Sequence, residues 1–346
     1  MGLLYQSKLD QIWSRLFVAA PFFAWLFISS CTKENVSDFQ AQVPAYFPKP
    51  NYTKHVQDFT KGRFELGKQL FFDPLLSTDH STSCASCHSQ THGFADHNVR
   101  FSNGIYGRKG VRNTPGITNL IWYPAFGWDG GVIHIEIFHL GPLTNELEMG
   151  TDMSGVLNRL NHNEEYRELF KKNYGVEKIS DYELFKALTL YIAQIQSFQS
   201  KYDQYRQGKS SFSEEEKKGY TLFKNHCAVC HQEPLFTNFT YQNIGLDTVF
   251  ADGGRGKITK KITDYGKFRV PSLRNVALTY PYMHDGRFWD LEEVLDHYSF
   301  GVLSNSQNLS PILKKGIPLT QIERKQIIAF LNALTDYELL SDPKFY

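Results

Sequence analysis

The sequence predicts a mainly α-helical chain with long loops, built from two tandem copies of one design. Three observations carry this. Apolar residues recur at helical spacing in several segments, as at Leu184, Leu188, Ile192 and Ile195. No convincing pair of strands is visible. Short stretches also repeat in the same order at matched intervals. Gly67-Lys68-Gln69-Leu70-Phe71 answers Gly219-Tyr220-Thr221-Leu222-Phe223. Pro115-Gly116-Ile117-Thr118-Asn119 answers Pro271-Ser272-Leu273-Arg274-Asn275, and Asp129-Gly130 answers Asp285-Gly286.

With 346 residues, the chain has room for two domains that each bury a core. Its formal net charge of +1 gives no electrostatic footprint for nucleic acid. At the start, Lys8 and Arg15 precede an uncharged run over residues 16–28. A membrane span needs about 20 apolar residues, so this run fits an export-signal core instead. It ends at Ile28-Ser29-Ser30-Cys31, which resembles a bacterial lipoprotein box. Residues 1–30 are therefore expected to be a lipoprotein-type signal peptide, with Cys31 the lipidated first residue of the mature chain. The protein would sit in the bacterial periplasm or cell envelope, tethered to a membrane surface but not spanning it.

Residues 31–60 are polar, carry Pro44, Pro48 and Pro50, and read as a tether. Residues 64–72 form an amphipathic helix ended by Pro74. Residues 89–127 read as loop, and 152–174 as one or two short helices. The clearest helix is 181–198, capped by Ser180. A polar hinge at 202–211 follows. Ser213 with Glu216 forms a capping box for the next helix. Residues 235–269 are loop-like, 291–298 helical, and 320–334 a terminal helix. The expected domains are 61–205 and 212–346.

Each half contains one Cys-x-x-Cys-His: Cys84-Ala85-Ser86-Cys87-His88 and Cys227-Ala228-Val229-Cys230-His231. Two thiols one turn apart can each form a thioether to a haem vinyl group, and the adjacent histidine then binds iron. The competing reading is structural zinc, which needs further cysteines or a regular second ligand pair. The two motifs use four of the five cysteines, so only Cys31 remains, too few for it. Both halves are therefore expected to be cytochrome c-like haem domains. Attachment of c-type haem outside the cytoplasm agrees with the export signal.

The halves differ on the far side of the haem. His88 and His231 supply one axial ligand each. Tyr298 follows Asp285 at the interval where Pro142 follows Asp129. Proline has no side-chain donor, so the first haem is expected open and the second capped. A capped haem carries electrons; an open one can bind peroxide or oxygen. Glu148, just past Pro142, is a candidate proton acceptor and donor there, although its spacing equally suits a solvent-facing glutamate. Trp128 reads either as a core side chain or as an oxidisable relay between the haems.

These residues resemble the bacterial di-haem cytochrome c peroxidases and their MauG-like relatives over roughly residues 60–335. The motifs are the two haem sites, Arg112-Asn113-Thr114-Pro115, Trp128-Asp129-Gly130, Gly141-Pro142 with Glu148-Met149, Pro281-Tyr282-Met283-His284-Asp285-Gly286, and Leu291-Glu292-Glu293. The resemblance implies a peroxidatic N-terminal haem and an electron-transferring C-terminal haem. It also implies a calcium ion held by the Asn113 side chain and the Thr279 and Pro281 carbonyls, all oxygens as calcium requires. Trp128 falls on the family's inter-haem tryptophan and Glu148 on its distal glutamate.

Three departures stand out. Tyr298 replaces the methionine ligand of typical peroxidases, as in MauG, while Met283 falls where the family has an aromatic residue. Ile105 replaces a switch histidine, leaving His92 and His97 as the histidines that could in principle reach the first haem. Phe138 replaces a distal glutamine. The expected function is reduction of hydrogen peroxide at the first haem, with electrons passed through the second from a c-type cytochrome or other small redox protein. The alternative is a MauG-like enzyme that oxidises a protein side chain. A pure electron-transfer cytochrome needs both irons capped, which Pro142 argues against.

Overall fold

Two crossed helix pairs organise the chain, and the repeated glycines explain how closely they cross. A computed structural model describes residues 43–346; the expected signal peptide, Cys31 and residues 32–42 lie outside the described residues. In the first half, helix Lys61–Phe72 packs on helix Asp181–Ala193. Thr60 caps the former, and the Ser180–Glu183 capping box starts the latter. A Cβ at Gly67 would run into the Ala187 carbonyl. In the second half, helix Glu214–His226 packs on helix Gln321–Asn332, both opened by capping boxes. Here a Cβ at Gly219 would run into the Gln326 carbonyl. Only glycine lets the backbones approach this far.

Each pair has its own core. Phe64, Leu70, Phe71, Leu184 and Tyr191 fill the first. Phe223, Phe236, Ile327, Phe330 and Leu334 fill the second. The repeat continues in the loops. Asn119 and Asn275 both take left-handed φ, at 61° and 62°. The bridge between Phe126 and Val132 recurs between Tyr282 and Phe288.

Several expectations are corrected. The 181–198 helix stops at Ala193. A short antiparallel pair, Tyr241–Gln242 with Phe268–Arg269, lies in the region read as loop; strands of two residues leave no periodic signal. The 202–211 hinge begins as helix Lys201–Arg206. Its Asp203 side chain is fully buried against the Arg274 guanidinium, with both contacts at 2.8 Å. The described end of the expected tether is docked. Phe47 packs on Trp122 and Phe198, and the Tyr46 hydroxyl donates to Asp203 at 2.8 Å. Beyond its last proline the expected tether also forms the short helix Lys54–Asp58.

The 320–334 helix is not terminal either. Helix Tyr337–Ser341 follows it, and Leu339 and Phe345 enter the first core. Among the described residues no helix is long and apolar enough to cross a membrane.

Candidate active site

Both motif histidines are held in one tautomer by a backbone carbonyl. The His88 Nδ1 lies 2.8 Å from the Phe94 carbonyl, and the His231 Nδ1 lies 3.1 Å from that of Phe236. A carbonyl only accepts, so Nδ1 carries the hydrogen and Nε2 keeps its lone pair. Burial lowers the pKa of His88, and that of His231 to about 4. Both rings are therefore neutral, as a metal-binding imidazole must be. Phe94 and Phe236 take φ of 57° and 54°, a conformation costing a bulky residue roughly 1–2 kcal/mol. Sequence reasoning missed this pair, because they act through main-chain oxygen.

The second site opens into a cavity of about 980 Å³ whose lining includes Cys227, Cys230, His231, Tyr298, Met283 and Trp128. Its size and largely apolar wall suit a large planar cofactor, and the thiols and the free imidazole nitrogen suit a covalently held haem. Tyr298 sits on the turn His297–Gly301 that continues helix Leu291–Asp296. Its hydroxyl has no hydrogen-bond partner among the described residues, and burial raises its pKa. Neighbouring His297 is occupied elsewhere, with Nε2 2.9 Å from the Ile244 carbonyl. Met283 lines the same wall with φ of 75°.

At the first Cys-x-x-Cys-His motif, Glu148 lies near enough for its charge to act on both thiols. Burial pushes the Cys84 thiol up to about 12 and the Cys87 thiol up to about 11, and the Glu148 charge adds to both. Burial also raises the pKa of Glu148 itself, partly offset by the Asn145 amide, which donates to Oε1 at 2.7 Å. Pro142 lies in the short helix Leu140–Thr144, and its carbonyl takes the Met149 amide at 3.2 Å. Phe138 packs on Phe126 at 5.3 Å.

The Glu148 segment is clamped from two sides. The Ile105 amide donates to the Glu148 carbonyl at 2.8 Å, and the Thr78 amide donates to that of Met149 at 3.0 Å. Ile105 is buried beneath Gly150. A Cβ at Gly104 would strike the Leu147 and Glu148 carbonyls. His92 and His97 stack on each other, with ring centroids 3.8 Å apart.

Trp128 is buried and ties two expected sites together. Its Nε1 donates to the Asn113 carbonyl at 2.7 Å, and its ring lines the cavity of the second motif. Asn113, Thr279 and Pro281 all line that cavity too. The Asn113 Nδ2 donates to the Arg100 carbonyl at 3.4 Å. Neither the Asn113 Oδ1 nor the Thr279 and Pro281 carbonyls accept a hydrogen bond from any described residue, so three oxygens remain available for a hard cation. Among the described residues no cluster of three His, Cys, Asp or Glu gathers as a metal cage; an amide-and-carbonyl calcium site needs none.

The helical halves and the paired thiol–imidazole sites define a di-haem redox protein. Residues 61–211 match the family described as di-haem cytochrome c peroxidase. The chain is 34% identical over 302 residues to the methylamine utilization protein MauG of Methylorubrum extorquens, covering 85% of this chain and 84% of that protein. It is 32% identical over 277 residues to the cytochrome c551 peroxidase of Nitrosomonas europaea, covering 78% and 79%. The crystal structure of a MauG-like protein associated with microbial copper homeostasis matches with a TM-score of 0.80 and 32% identity, covering 88% of this chain and 98% of that one. The chain belongs to the di-haem cytochrome c peroxidase and MauG family, and is a peroxidase-type oxidoreductase with haem cofactors.

Proposed function

We propose that the protein reduces hydrogen peroxide at a haem held by Cys84, Cys87 and His88, with electrons passed through a second haem held by Cys227, Cys230 and His231. The observation that carries this is the asymmetry of the halves. Tyr298 lines the second site, whereas Pro142 takes the matching place in the first, with the Glu148 carboxyl beside the motif. A haem held at the first motif would supply the redox chemistry for cleaving the peroxide O–O bond.

The chain's own groups manage protons and access. His88 would hold the iron through Nε2. The Glu148 carboxylate would accept a proton from hydrogen peroxide and return one to the oxygen that departs as water. Asn145 fixes Oε1, leaving Oε2 for that proton. Ile105 holds the Glu148 segment still through its amide and its packing beneath Gly150. Two electrons and two further protons balance the conversion of one peroxide to two waters. The electrons come from a c-type cytochrome or another small redox protein, by way of the second haem and Trp128. Asn113, Thr279 and Pro281 would hold calcium between the sites. Export and tethering through Cys31 complete the reading, supported by the run over residues 16–28.

A MauG-like role, withdrawing electrons from a protein side chain, is the second reading. It is favoured by Tyr298, since a phenolate ligand stabilises oxidised iron. Adding peroxide to the oxidised protein, alone and then with reduced cytochrome c, tests both. Rapid cytochrome oxidation is expected for the peroxidase. A long-lived oxidised state that ignores the cytochrome moves the assignment to the MauG-like role. An unaltered haem spectrum on peroxide addition rejects both.

A further inference from the structure

Arg269 carries a charge that the protein itself leaves unanswered. It is 6% exposed, and its Nη1 is buried without a hydrogen-bond partner. The rest of the residue is fixed. Its amide donates to the Trp128 carbonyl at 2.8 Å, and its Nε donates to the Gly127 carbonyl at 3.1 Å. The guanidinium lies over the Tyr123 ring at 4.5 Å. The nearby carboxylates are already engaged: Asp129 and Asp252 pair with Arg112, and Lys257 also pairs with Asp252. No carboxylate of the described residues pairs with Arg269. A buried guanidinium with an idle N–H is costly, because the group has lost its water without gaining a partner. Such a group persists where a ligand completes it.

The place of Arg269 identifies the ligand's chemistry. It lines the cavity shared by Cys227, Cys230, His231 and Tyr298. A planar fork of N–H donors matches a carboxylate, and haem carries two propionate carboxylates. We propose that Arg269 anchors a propionate of the haem held at Cys227 and Cys230, and so ties that haem to the main chain at Gly127 and Trp128. This rests on the haem reading of the second motif. Through it, one side chain grips the second haem while its amide and Nε grip the segment that bears the inter-site tryptophan.

The test uses the full haem-loaded protein and its R269Q and R269K variants. Mass spectrometry of the peptide spanning Cys227 and Cys230 first establishes covalent haem. Resonance Raman spectra then read the propionate bending band of the second haem, and spectroelectrochemistry reads its midpoint potential. In R269Q the band should shift to lower wavenumber. The potential should fall, because a lost positive charge no longer favours the reduced iron. In R269K, which keeps charge but not the fork, the band should shift while the potential stays near the parent value. This variant carries the test if R269Q does not fold. An attached haem whose band is unmoved in either variant overturns the role of Arg269. Absence of haem from Cys227 and Cys230 in the parent protein overturns the underlying site instead.

Discussion

Glu148 shows how a single residue acquires chemistry from its surroundings. In water a glutamate is ionised at neutral pH; here burial favours its protonated form. The carboxylate is the form that accepts the peroxide proton. The rate of reaction with peroxide should therefore fall as pH drops through a pKa above the ordinary glutamate value. Glu148→Gln should remove this limb and slow the step by roughly 10²–10⁴-fold, as read by stopped-flow absorbance. An unchanged rate would take Glu148 out of the mechanism. The same shift affects stability. A carboxyl whose folded pKa lies above its unfolded one favours folding at low pH and loses that contribution as pH rises through the folded value. Glu148→Gln should thus melt higher than the parent at pH 8, with the gap closing below the ordinary carboxylate range. The two Cys-x-x-Cys-His motifs stand out in the sequence because their spacing is local. Pro142 and Tyr298 were legible only by comparing the halves. Phe94, Phe236 and Arg269 were not, since two act through main-chain carbonyls and the third serves a neighbour far away in sequence.

At the scale of helices, the repeated Gly-x-x-x-Phe stretches turn out to be packing instructions. Alanine at Gly219 would gain about 1 kcal/mol in helix propensity. Its Cβ would meet the backbone carbonyl of Gln326, and main chain cannot rotate aside as a side chain can. Overpacking of this kind costs about 1–3 kcal/mol and occasionally more, so the clash wins. Gly219→Ala and Gly67→Ala should each lower the denaturant midpoint, with the m-value unchanged; a rise in midpoint would mean that the helices separate without penalty. Helix starts such as Ser213 with Glu216 were readable because the two partners sit three residues apart. The 201–206 helix was not. Asp203 looks like part of a solvated hinge until Arg274, distant in sequence, pairs with it in the interior.

Taken as a whole, the molecule does not divide where its repeat divides. The tail crosses back: Phe345 is 1% exposed and packs against Phe64, Phe94 and Tyr191 in the first core. Its carbonyl accepts the Tyr191 hydroxyl at 2.8 Å, and Gln90 donates to the Leu339 carbonyl at 2.8 Å. No local pattern in the last ten residues announces this, because the pocket they fill is made by residues near the other end of the chain. The consequence reaches the first Cys-x-x-Cys-His motif. Phe94 holds the His88 imidazole through its carbonyl, and its ring leans on Phe345 at 5.8 Å between centroids. Truncating a buried phenylalanine to alanine costs about 3–5 kcal/mol. Phe345→Ala should lose stability of that order in denaturant unfolding, and the loss should fall unevenly. The absorbance of the first haem should change at lower denaturant than that of the second, although the altered residue lies in the C-terminal segment. A loss below about 1 kcal/mol, within the range of ordinary surface substitutions, would mean that the tail is not docked. Simultaneous loss of both haem signals would mean that the two cores unfold as one.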